Sequence, residues 1–137
     1  MVMNVQTQGN LAEKKVYLPL EEGTYTVKLT KSTEKPTKAG NGAYIDATFE
    51  VVEGPSAGRL IFQKFLIDHP SAKAVEIGKD QLSKFLKAVG IREGLEGVDG
   101  DVNRINEFTN LLVNAKVKIE KNEQYGDRNK ITNFSMR

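Results

Sequence analysis

From Gly23 onward hydrophobic and polar positions alternate. Tyr25, Val27 and Leu29 interleave with Thr26, Lys28 and Thr30, the period of a strand that rests one face on a core. AYIDATFEVVEG, residues 43–54, repeats the pattern, with Ile45, Ala47, Phe49 and Val51 on one side and Tyr44, Asp46, Thr48 and Glu50 on the other. The glycines and proline of EGPSAG, residues 53–58, supply turn chemistry, and RLIFQKFLI, residues 59–67, predicts a third strand. Its apolar residues fall on both faces, Leu60, Phe62 and Leu66 against Ile61, Phe65 and Ile67, so one face either exposes an aromatic side chain or is covered by a helix.

The period then changes. In KDQLSKFLKAVG, Leu82, Phe85, Leu86 and Val89 follow helical spacing, and Gly90 sits where a helix C-terminal glycine belongs. A weaker helical stripe of Val102, Ile105 and Phe108 follows. Alternation returns in VNAKVKIEK, QYGDRN reads as a turn, and KITNFSM as a closing strand. Residues 1–20 show no sustained period and are expected to form an N-terminal arm, leaving residues 21–137 as one domain. Three strands, a helical connection and two more strands predict an all-β fold with inserted helices. The arrangement is that of the OB-fold, a five-stranded Greek-key barrel with the helical connection between strands three and four. A mixed α+β sheet with two helices on one face fits the same string.

At 137 residues the chain is long enough to bury about two-thirds of its unfolded surface around a single core. No apolar run approaches the roughly 18 residues of a membrane helix, and the first residues lack the pattern of a secretory signal, so no membrane partner and a cytoplasmic location are expected. There is no cysteine, which removes disulfides and thiolate metal sites.

Charge is segregated along the chain. REGLEGVDGDVNRINE, residues 92–107, carries five acids against two arginines, a local charge of −3, so the rest of a chain of net charge +2 carries +5. Much of that excess lies on or beside predicted strands: Lys28, Lys31, Lys35 and Lys38 near the first, Arg59 and Lys64 at the third, Lys116 and Lys118 on the fourth, Arg128 and Lys130 at the fifth.

The loop KPTKAGNG, residues 35–42, is basic and glycine-rich, yet no Lys-Ser or Lys-Thr pair follows its glycines and a strand comes next. That order excludes a phosphate-cradling loop opening a helix, and no nucleotide cofactor is expected. On the barrel reading this loop and NEQYGDR, residues 122–128, flank one cleft and meet at its mouth. Tyr44 and Tyr125 stand at or near their roots, as a single-strand binder requires: cations follow phosphates while rings stack on bases. Tyr44 equally suits cross-strand packing.

TFEVVEGPSAGRLIF followed by KAVEIGKDQLSKFLKAVGI resembles a family of small bacteriophage proteins long known only as a domain of unknown function. The shared phrase is E-V-x-E-G-P-x-x-G-R, then A-V-x-I-G, then a helix ending A-x-G-I, within residues 23–134. The resemblance implies an OB-fold single-stranded-DNA-binding protein of phage replication or recombination, partnered with single-stranded DNA and with a phage recombinase, annealing protein or polymerase. Its matching residues Glu53, Gly54, Gly58, Gly78 and Gly90 look architectural, and Arg59 is the one with binding chemistry. The chain ends NFSMR, without the acidic recruiting tail of bacterial single-strand binders.

Catalytic chemistry is sparse. His69 is the only histidine and reads as a loop residue, no ligand cluster indicates a metal, and Asp99 and Asp101 read as solvated charge. A metal-dependent nuclease would need Asp46, Glu50 and Asp68 to converge. The expectation is a non-enzymatic binder of single-stranded DNA. The alternative is the same barrel used to dock a phage recombinase or polymerase, with 92–107 as its contact surface. On either reading the barrel can pair as a homodimer through a strand edge, with the lead-in as an arm.

Overall fold

A computed structural model describes residues 18–124 and 126–137. The chain forms β1 (Gly23–Pro36), β2 (Ala43–Val51), β3 (Leu60–Asp68), α1 (Ala72–Ala88), two short 3-10 helices (Gly94–Val98 and Val102–Phe108), β4 (Leu112–Glu120) and β5 (Arg128–Met136). The strands make one antiparallel sheet in the spatial order β3-β2-β1-β4-β5. No helix among the described residues is long and apolar enough to cross a membrane.

The alternating residues do what their period dictates. Val27 and Leu29 of β1, Ile45, Ala47, Phe49 and Val51 of β2, and Val113, Ala115 and Val117 of β4 are all buried on one face. α1 covers that face with Leu82, Phe85 and Leu86. Phe85 meets Phe49 and Phe134 edge-on, at centroid distances of 5.6 and 5.5 Å, an arrangement that aromatic quadrupoles favour.

β1 takes part in two ladders. Gly23–Lys28 pair with β4, Val27–Pro36 pair with β2, and the register slips between Leu29 and Lys31, a bulge that bends the strand. Where β4 has left β1, the second 3-10 helix replaces it. The Asn106 amide oxygen accepts from the Ser32 backbone N–H and hydroxyl, both at 3.0 Å, and its nitrogen donates to the Ser32 carbonyl at 3.0 Å. A side chain thus satisfies backbone groups that a strand would otherwise pair.

α1 begins at Ser71, whose hydroxyl accepts the Ala74 N–H at 3.3 Å, two turns earlier than the periodicity predicts. It ends as the sequence indicates: Gly90 adopts φ +110°, and the Ile91 N–H returns to the Leu86 carbonyl at 2.9 Å. Gly78 lies inside the helix because a Cβ there would collide with the Leu66 carbonyl of β3, so its absence lets helix and strand touch.

The strands of the expected five-stranded barrel do not close on one another. β3 and β5 are the two ends of the sheet and share no ladder. They are bridged by the Gln63 side-chain oxygen, which accepts the Ile131 N–H at 2.8 Å. The sheet is curled over α1 and open along this seam. Most of the expected arm, residues 1–17, lies outside the described residues, but its last residue belongs to the domain. Leu20 is buried, its N–H donates to Asn129 Oδ1 at 2.8 Å, and its carbonyl accepts from Asn129 Nδ2 at 2.9 Å.

Candidate nucleic-acid interface

Cross-strand partners share a face of the sheet, so the registers define the outer surface opposite the core. Lys28, Glu50 and Leu60 form one row across β1, β2 and β3; Lys31, Thr48 and Phe62 the next; Thr33, Asp46 and Lys64 the third; Lys35, Tyr44 and Leu66 the last. Phe62 is 64% exposed at the β3 edge of this surface. The Lys64 ammonium lies 5.2 Å from the centre of the Tyr44 ring, and Lys35 Nζ contacts Asp46 Oδ2 at 3.0 Å. The Asp46 hydrogen bond and charge raise the Lys35 pKa above its ordinary value. Tyr44 is half-buried between Lys35 and Leu66, a position that serves both cross-strand packing and partial presentation of the ring.

The outer face of β4 and β5 carries Lys118 opposite Lys130 and Lys116 opposite Asn133, with all three lysines exposed. An open groove of about 350 Å³ runs between β3 and β5, with Phe62 and Lys64 on one wall, Arg128 and Lys130 on the other, and Glu120 at the rim. Arg128 Nε contacts Glu120 Oε1 at 2.7 Å, so this cation is partly committed within the protein. The seam therefore joins the two basic surfaces.

One predicted residue has another placement. Arg59 stands just before β3, where its guanidinium donates to the Leu18 carbonyl at 2.6 Å, a bond that ties down the chain leading into the domain. Tyr125 lies outside the described residues.

Nor do the two loops meet at one mouth. Lys38 is exposed in the β1–β2 loop, where the Thr37 N–H donates to the Gly42 carbonyl at 3.0 Å, and Gly42 abuts the Asp68 carbonyl at the far end of β3. Glu120 and Arg128, the roots of the β4–β5 loop, face the first half of β3. The loops thus bracket β3, nine residues or about 30 Å long, from opposite ends. Convergence fails because the two loops leave β1 and β4 at opposite ends of their shared ladder.

Phe62, absent from the predicted set, is the most exposed ring on this surface. The signal for it was its parity with Lys64, obscured because both sides of β3 are apolar.

The carboxylates weighed for a nuclease do not converge. Asp46 engages Lys35, Glu50 lies between Lys28 and Leu60, and Asp68 ends β3 opposite Ala43. No group of three or more His, Asp or Glu side chains spaced to hold a metal occurs among the described residues. His69 Nδ1 accepts the Ser71 N–H at 3.0 Å and so shapes the turn into α1. In the acidic stretch, Arg104 pairs with Glu107 at 3.0 Å and holds that carboxyl below its usual range.

Residues 7–134 match the family described as Protein of unknown function (DUF669). The chain belongs to this family. No curated protein matches it. The DUF669 match covers the whole sheet except the last residues of β5, together with α1 and both 3-10 helices.

Proposed function

We propose that this DUF669 protein binds single-stranded DNA without sequence preference, and that its sheet is a partly open form of the five-stranded OB-fold barrel. The strand order and the helix between β3 and β4 support the fold reading. The observation that carries the function is Phe62, an exposed ring on a strand surface, in one cross-strand row with Lys31, two residues from Lys64 and sharing the seam groove with Lys130. A ring in water has no packing role there, and base stacking on such a platform is worth about 1–3 kcal/mol, while the lysines track phosphates. The strand lies along β3, between the loops that bracket it. Sequence tolerance follows from the contacts, since every base has a face and every phosphate a charge.

The phage resemblance of the sequence supports placing this activity in replication or recombination, where exposed strands need covering. The test is a titration of a labelled oligothymidylate and of a duplex at two salt concentrations. Salt-sensitive binding of the single strand with weaker binding of the duplex is expected, and equal affinity for the two sinks the reading.

A further inference from the structure

On the other side of the seam lies a second groove, also of about 350 Å³, between α1 and the facing edges of β3 and β5. Its helix wall is the stripe Ala74, Ile77, Gly78 and Gln81, and its sheet wall includes Leu66, Lys64, Lys130 and Thr132. We propose that this groove receives an extended acidic peptide segment of a partner protein.

Three observations converge on that occupant. Gln81 Nε2 donates to the Thr132 carbonyl at 3.3 Å, but its amide oxygen is buried and receives no hydrogen bond from the described residues. A buried acceptor without a donor is costly, and because Gln81 lines the groove, a turn of its side chain toward an incoming peptide N–H relieves that cost. The edges of β3 and β5 share no ladder, and in the groove the β5 backbone is met by side chains, Gln63 on the Ile131 N–H and Gln81 on the Thr132 carbonyl, which an added extended segment replaces with its own backbone while its alternate side chains fill pockets. Ile77, 54% exposed beside Leu66, offers the apolar pocket.

Charge decides the kind of peptide. Lys64 and Lys130 line the groove and no carboxylate among the described residues does, so acidic side chains are favoured. A nucleic-acid strand suits it less well: no exposed ring lines the groove, since Phe65 is buried, and phosphates bring acceptors where Gln81 needs a donor.

Lys64 and Lys130 line both grooves, so peptide and DNA strand compete for the same cations. By linkage, each weakens the other by the same factor. Peptide binding itself does not depend on the DNA-binding reading; only the competition does.

The test uses the full chain and a fluorescent ten-residue peptide of alternating aspartate and leucine, with a lysine-leucine peptide as control. Saturable binding of the acidic peptide is expected, with amide shifts at Ile77, Gln81 and Lys130. Ile77→Glu, on the exposed side of α1, should weaken binding at least tenfold with unchanged melting, and Glu96→Gln should leave it unaltered. Equal binding of the lysine peptide, or full affinity in Ile77→Glu, overturns the proposal. Unlabelled oligothymidylate should release the peptide. Should each ligand bind alone without displacing the other, the shared-lysine coupling is wrong; should the oligonucleotide bind and the peptide not, the peptide proposal alone falls.

Discussion

The side-chain oxygen of Gln63 accepts the backbone N–H of Ile131 at 2.8 Å, joining two strands that no ladder connects. Removing the acceptor leaves a buried N–H without a partner, at a cost of about 1–3 kcal/mol. Gln63→Ala should therefore lower the urea midpoint and speed hydrogen exchange at Ile131 more than at Val117, which lies within a ladder. Equal exchange at both amides would show that the seam is held by something else.

Phe62→Ala separates binding from stability. The ring is largely in water, so unfolding free energy should change by no more than about 0.5 kcal/mol. Affinity for oligothymidylate should fall by about 1–3 kcal/mol. Fluorescence anisotropy and a thermal melt on the same sample read both quantities.

Salt dependence counts phosphate contacts. Replacing Lys31 or Lys64 by alanine should each reduce the slope of log affinity against log salt by about 0.7. Asp46→Asn should act oppositely, because it releases Lys35 from its ion pair and removes a negative charge from the face. A slope that no lysine on this surface alters would place the DNA elsewhere.

Gly78 reports on the contact between α1 and β3. Gly78→Ala raises intrinsic helix propensity, yet its methyl group meets the Leu66 carbonyl. The collision should dominate, destabilising the protein by about 1–3 kcal/mol in a denaturant titration. A more stable variant would mean that helix and strand are further apart than described.

Acid should loosen the turn after β2. Hydrogen bonds from Thr26 and then Arg137 hold the Glu53 carboxyl below its ordinary range. A carboxyl whose pKa is lower folded than unfolded adds stability above its unfolded value and loses it as pH falls through the folded one. Between about pH 6 and about pH 3 the urea midpoint of the wild type should drop more than that of Glu53→Gln. Parallel curves would remove Glu53 from the account.

Legibility in the sequence followed locality. β2 and β4 could be read because buried apolar residues alternate with mostly polar ones along both strands, even where the outer Thr48 is itself buried. The second half of β1, Lys31–Pro36, could not, since it is polar on both sides and is held by β2 and by Asn106, far away in sequence. The first two turns of α1, residues 72–78, were not read as helix, and Gly78 within them marks a close approach to β3. The basic surface was legible as composition, Lys31, Lys64, Lys118 and Lys130 all being exposed. The bond that holds Arg59 was not legible because its acceptor, the Leu18 carbonyl, is 41 residues away. The relation between the loops was misjudged because it depends on registers, which no local pattern contains.

The double membership of β1 has a topological corollary. Since the β2–β3 hairpin and the β4–β5 hairpin hang from opposite ends of that one strand, a backbone nick near its bulge at Thr30 would leave two meanders with no common spine. Fragments for split-protein complementation should instead be divided at the exposed turn 53–58, where the cut interrupts no strand and the β2–β3 and β1–β4 ladders hold the two pieces together.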